Sequence, residues 1–75
     1  MVDTTVAAEI TVRVNGDDRA VPVGLSVAGL LEHLGLSPRM VVVEHNGDIL
    51  RRESLAGVPV TEGDRLELVH FVGGG

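Results

Sequence analysis

Gly73, Gly74 and Gly75 follow His70-Phe71-Val72 at the end of a 75-residue chain, and they are the residues whose type and spacing best suit chemistry. Without Cβ atoms they adopt almost any backbone conformation and can thread a passage too narrow for other residues. Threading would present the carboxylate expected on Gly75 to another protein's active site. A carboxylate is inert toward nucleophiles until one oxygen becomes a leaving group, and attack on the α-phosphate of ATP, giving an acyl adenylate, would achieve that. The activated carbonyl could then accept an amine, forming a conjugate, or a sulfur nucleophile, forming a thioester or a thiocarboxylate. For an arbitrary chain the alternative is a frayed end.

The remaining residues offer no self-sufficient active site. There is no cysteine, which excludes disulfides, thiolate metal sites and a cysteine nucleophile, and fits the reducing cytoplasm in which the protein is expected. His33, His45 and His70 fall on three different elements, so their spacing announces no metal site and none is expected. Glu62 and Asp64 flank a glycine in a composition common to turns. No serine sits in a nucleophile-elbow context and no glycine loop matches a phosphate cradle, so no bound cofactor is expected.

Composition narrows the partners. The net charge is −5, all six basic residues are arginines, and Phe71 is the only aromatic residue. A basic stripe and a stacking platform are both missing, so nucleic acid is not an expected partner. Met1 to Glu9 is polar and acidic rather than a leader sequence, and runs such as Met40 to Val43 are too short to cross a bilayer, so no membrane partner is expected. One small domain of this size buries only roughly 60% of its unfolded surface, which predicts modest stability.

The elements that must position the tail are legible from patterning. Ile10, Val12 and Val14 alternate with polar residues as a strand, Asn15-Gly16 marks a hairpin, and Ala20 to Val23 resumes the alternation. Pro22 cannot donate to a ladder and puts that second strand at an edge. Ser26 can cap a helix whose Val27, Leu30, Leu31 and Leu34 share one face. Gly35 ends it, with Leu36 folding back onto Leu31, and Gly29 within it suggests close approach to the sheet. Met40 to His45 reads as a buried strand, turned by Asn46-Gly47 into Ile49 and Leu50. An irregular stretch follows. The Glu62-Gly63-Asp64 turn then launches a last strand with Leu66, Leu68 and His70 on one face and Glu67, Val69 and Phe71 on the other. This order predicts an α+β, ubiquitin-like β-grasp: a mixed sheet of four to five strands with one helix packed across one face and the first and last strands parallel at its centre. The domain is expected over residues 9–72, with 1–8 an appended, disordered extension and 73–75 a flexible tail.

The sequence resembles the ThiS family of sulfur carrier proteins, within the ubiquitin-like ThiS/MoaD group. The resemblance covers about Ile10 to Gly75 and rests on Val14-Asn15-Gly16, Ser26-Val27-Ala28-Gly29-Leu30-Leu31, Val43-Glu44-His45-Asn46-Gly47, Glu62-Gly63-Asp64 and Val69-His70-Phe71-Val72-Gly73-Gly74-Gly75. It implies a protein substrate rather than an enzyme. A ubiquitin-activating-like (ThiF-type) enzyme would adenylate Gly75 with ATP, and a cysteine desulfurase or rhodanese-type donor would convert it to a thiocarboxylate. Thiazole synthase (ThiG-type) would take the sulfur for the thiamin thiazole. Gly73 and Gly74 would thread the tail, and Phe71 and Val72 are candidate partner anchors. The strand faces around Val58, Val60 and Leu68 are further candidate contacts, with ordinary packing the competing explanation. The rival readings are a MoaD-like small subunit of molybdopterin synthase, a ubiquitin-like modifier and a β-grasp recognition module. The His70-Phe71-Val72 ending favours the thiamin carrier over the first, and lysine-linked chains of a lysine-free protein are impossible.

Overall fold

In the computed structural model of the protein, which describes residues 8–71, the alternation of Ile10, Val12 and Val14 forms β1 (Glu9–Val14). The expectations for residues 1–7 and for Val72, Gly73, Gly74 and Gly75 lie outside the described residues. Asn15 and Gly16 have φ of 50° and 87°, the two left-handed positions of a type I′ turn, and return the chain antiparallel as β2 (Asp17–Pro22). β2 begins three residues before Ala20, where the alternation had placed it. Asp17 to Ala20 are exposed at the sheet edge, so no buried face imposes the pattern. Pro22 closes this edge strand opposite Glu9, and the Ala8 carbonyl accepts from the Val23 N–H at 3.0 Å.

α1 (Val27–His33) starts at Ser26, whose Oγ accepts from the Gly29 N–H at 3.0 Å, and buries Val27, Leu30 and Leu31 completely. Its end is a Schellman motif. Gly35 stands at φ 78°, the Gly35 N–H donates to the Glu32 carbonyl at 2.9 Å, and the Leu36 N–H donates to that of Leu31 at 2.8 Å. Gly29 does not mark a close approach to the sheet. A Cβ there would meet the Leu25 side chain and Ser26 Oγ, each at an ordinary 3.5 Å.

Pro38–Met40 forms a short 3₁₀ turn, so β3 (Val41–His45) starts one residue later than the apolar run. Asn46 and Gly47, at φ 51° and 94°, repeat the two-residue left-handed turn into β4 (Asp48–Leu50). The stretch between β4 and the last strand holds a 3₁₀ helix, Arg52–Gly57, that carries Leu55 into the core. It is followed by a Ser26–Pro59 bridge rather than by a strand. The Val27 N–H donates to the Val58 carbonyl and the Val60 N–H to that of Leu25, which draws Val60 inward to 4% exposure.

β5 (Arg65–His70) completes a five-stranded sheet of order β2-β1-β5-β3-β4. It runs parallel to β1 through Arg13–Arg65 and Val14–Leu66, and antiparallel to β3 from Val41–His70 to His45–Leu66. This is the expected β-grasp. Its core lies between the sheet and α1 and includes Val12, Val21, Leu30, Leu31, Val43 and Leu66. Each such side chain contributes about 1.5–3 kcal/mol on burial. Among the described residues no helix is long and apolar enough to cross a membrane.

Replacing Gly35 by alanine isolates the helix stop, because a Cβ there would meet nothing within 4 Å. The left-handed backbone alone predicts a loss of about 1 kcal/mol in urea unfolding. An unchanged midpoint would contradict the left-handed stop.

Candidate functional site

β5 is the strand from which the glycine tail issues, so the site begins with what holds β5. On its β3 side the Phe71 N–H donates to the Met40 carbonyl at 2.8 Å, and the Asn46 N–H donates to the Arg65 carbonyl at 2.8 Å. Both turn asparagines also reach it through their side chains. Asn46 Oδ1 accepts from the Arg65 N–H at 2.8 Å. Asn15 Oδ1 accepts from the Leu68 N–H at 2.7 Å, while Asn15 Nδ2 donates to the Leu68 carbonyl at 3.2 Å. The sequence marked these asparagines only as turn formers. Their second role depends on partners up to 53 residues away, and local patterning carries no signal of it.

The entry to β5 is held by a charge. Asp64 is 6% exposed, and its carboxylate accepts from the Thr61 N–H at 2.8 Å, Thr61 Oγ1 at 3.0 Å, Asn46 Nδ2 at 3.1 Å and His45 Nε2 at 2.9 Å. Burial pushes this carboxyl upward, but the donors, led by the Thr61 N–H, outweigh it and lower its pKa from 3.8 to about 2. A carboxylate so saturated is a poor base at neutral pH, so the His45–Asp64 pair has the look of a catalytic dyad and the chemistry of a structural knot. Glu62, its neighbour in the turn, caps Thr11: Oε1 accepts from the Thr11 N–H at 3.0 Å. His33, His45 and His70 stand on α1, β3 and β5, and among the described residues no three potential metal ligands come together.

The sheet face opposite α1 is open. Val42 and Val69 are cross-strand partners on it, Glu44 faces both Glu67 and Ile49, and Phe71 lies at its β5 end. Ile49 is 72%, Val69 61% and Phe71 47% exposed. Val42, Glu44, Ile49, Arg65, Glu67 and Val69 line an open depression of about 630 Å³ on this face. The other candidate contacts lie elsewhere. Val60 is a core residue and offers no exposed face, which corrects the expectation for it, because its main chain is bonded to Leu25 and its side chain joins the core. Val58 and Leu68 are half-buried against the same core. On this face the exposed Ile49 and Val69, with the half-buried Val42 beside them, were missed as contacts, although the alternation had set Val69 beside Phe71.

Comparison with known proteins agrees with this architecture. The ThiS family matches residues 12–75. A protein of Paramagnetospirillum magneticum named thiazole synthase is 44% identical over 62 residues, covering 83% of this chain and 19% of its own length. The chain thus spans about a fifth of that relative. The sulfur carrier protein ThiS of Bacillus subtilis is 38% identical over 50 residues, 67% of this chain and 76% of its own. The crystal structure of the thiamine biosynthesis protein ThiS from Geobacter metallireducens superposes with a TM-score of 0.74 at 36% identity, covering 88% of this chain and all of that one.

Asp64→Asn tests the knot at the root of β5. Its folded pKa of about 2 lies below the unfolded value of 3.8, so the stabilisation is full above the unfolded value and is lost as pH falls through about 2. At neutral pH the variant should be less stable by about 2 kcal/mol, and the gap to the parent should close on acidification toward about pH 2. A gap equal at both pH values in denaturant titrations would contradict the charge-based account.

Proposed function

The chain belongs to the ThiS family, and from that membership we propose that it carries sulfur for thiazole formation in thiamin biosynthesis. The reacting group is the carboxylate of Gly75. An oxygen of that carboxylate attacks the α-phosphorus of ATP in a ThiF-type adenylating enzyme, pyrophosphate leaves, and the acyl adenylate forms. The terminal sulfur of a persulfide formed through a cysteine desulfurase adds to the activated carbonyl and expels AMP. A second thiol of a partner protein then cleaves the resulting acyl disulfide at its S–S bond, leaving the thiocarboxylate on the carrier and a disulfide on the partner. Thiazole synthase consumes it and returns the carboxylate. In this scheme the chain is a protein co-substrate, and ATP and sulfur are handled by its partners in the cytoplasm.

The observation that carries this reading is the family match over residues 12–75, which runs through β5 to the three glycines. Two features support it. A cysteine-free chain has no thiol on which sulfur could ride, so the terminal carbonyl is the group available. In the Paramagnetospirillum magneticum relative, a segment like this chain forms part of a single protein named thiazole synthase. Joining two functions in one chain raises the effective concentration of each for the other, as expected for a carrier and its consumer. The same relative favours thiazole chemistry over the pterin chemistry of a MoaD-like subunit.

Phe71 and the open-face residues Val42, Ile49 and Val69 are the contacts we assign to partner enzymes, with Val72 beyond them. Burial of this apolar strip against a partner would exclude water around the entering tail. Gly73 and Gly74 supply the narrow thread that lets Gly75 reach the adenylating site.

Intact mass after incubation with ATP, a cognate adenylating enzyme and a sulfur source tests the chemistry. The full chain should gain the mass difference between sulfur and oxygen, and a chain lacking Gly75 should not. No gain, with the enzyme shown to be competent on an established carrier, would refute the reading. For the contact strip, Phe71→Ala should weaken binding to the adenylating enzyme while changing stability by less than about 1 kcal/mol, as expected for an exposed side chain. Lower stability at unchanged affinity would instead make Phe71 a packing residue.

A further inference from the structure

β1 leaves the sheet before β5 ends. Their parallel pairing covers Arg13–Arg65 and Val14–Leu66, the Asn15 N–H then donates to the Leu66 carbonyl at 2.9 Å, and the chain turns away at Asn15 with φ 50°. Among the described residues no strand lies on that side of β5 from Leu68 onward. The Asn15 carboxamide takes the missing place. Its Oδ1 receives the Leu68 N–H at 2.7 Å and its Nδ2 donates to the Leu68 carbonyl at 3.2 Å, the pair of bonds that a residue of a neighbouring antiparallel strand would supply from its own N–H and C=O. Among the described residues, Leu68 is the last point at which β5 is held from both sides. Beyond it Val69 and His70 pair with β3 alone, and Phe71 bonds the Met40 carbonyl just before β3.

We propose that Asn15 is a positioning residue for the reactive tail: its carboxamide extends the β1 side of the sheet by the two hydrogen bonds of one paired residue, so that β5 keeps its register up to Phe71 and Gly75 is presented from a fixed root. The purpose rests on the sulfur-carrier reading; the clamp itself does not. Asparagine suits the position for two reasons that other residues do not combine. It tolerates the left-handed backbone that the hairpin demands, and it carries a donor and an acceptor on one planar group. Aspartate keeps the acceptor and lacks the donor. Glycine keeps the turn and lacks both, which separates the clamp from the hairpin. Without the clamp the end of β5 belongs to a locally two-stranded ribbon, an arrangement of marginal stability in water. The adenylating enzyme then selects its tail conformation from a wider ensemble, which raises the apparent KM for the carrier without touching the chemical step.

Asn15→Gly, Asn15→Asp and, as a control at the opposite end of β5, Asn46→Gly test this in the full chain. Amide exchange gives the first readout. In Asn15→Gly the Leu68 amide should exchange roughly three- to tenfold faster, over and above any change in core amides such as those of Val12 and Val43. The second readout is carrier-dependent ATP–pyrophosphate exchange by the adenylating enzyme. KM for Asn15→Gly should rise severalfold at unchanged kcat, Asn15→Asp should fall between it and the parent, and Asn46→Gly should leave KM unaltered. Leu68 exchange that rises only in step with the core amides would overturn the clamp. Faster Leu68 exchange at unchanged KM would overturn its role in positioning. A parent chain that the competent enzyme does not adenylate would overturn the carrier reading and the role together, while the exchange readout would still decide the clamp.

Discussion

The two hairpins of this chain meet in the sheet only through β5. The β1–β2 hairpin lies on one side and the β3–β4 hairpin on the other, and the strand that joins them is the last to be made. A two-stranded hairpin is marginal alone in water, so each depends on β5 and on α1 packed over the inner face. Leu66, at the middle of the seam, is completely buried, and the Val14 and His45 positions pair with it from opposite sides. The fold therefore places its most constrained strand directly before its most permissive residues. If, as proposed, the working group lies beyond that strand, a firm root and conformationally permissive residues after it are both required.

Each hairpin uses its turn to grip the seam. Asn15 and Asn46 occupy equivalent left-handed positions and send their carboxamides onto β5, one to Leu68 and one to Arg65. Asp64 adds a charge-assisted knot just before the strand begins, with donors from Thr61, His45 and Asn46. These polar devices suit a small domain without disulfides. An aliphatic core favours compactness, but apolar contacts are non-directional and leave strand register to directional bonds.

Much of this fold was legible in local patterning. The helix followed from the spacing of Val27, Leu30 and Leu31, its stop from Gly35, both turns from Asn-Gly, and the edge position of β2 from Pro22. What escaped depends on tertiary contact. The 3₁₀ helix Arg52–Gly57 has no long period to announce it, and Val60 became a core residue only because its main chain is tied to Leu25. Gly29 was misassigned for the same reason, since its neighbours are Leu25 and Ser26 and not the sheet. The early part of β2 was invisible because an edge strand wet on both faces has no alternation to show. The alternation placed Phe71 on the face of Glu67 and Val69, where it is exposed. The asparagine clamps were not, because a turn asparagine looks the same whether or not its side chain finds a partner across the fold.

On the proposed reading the body of the chain holds β5 and the chemistry lies beyond it. The most direct measurement is transfer of labelled sulfur. The chain, loaded as a thiocarboxylate with a heavy sulfur isotope on Gly75, is mixed with thiazole synthase and its small-molecule substrates, and the label is followed by mass spectrometry. The account predicts that the label appears in the thiazole product in step with return of the carrier to the carboxylate form. A thiazole without label, or a thiocarboxylate that stays intact while product accumulates, would contradict it.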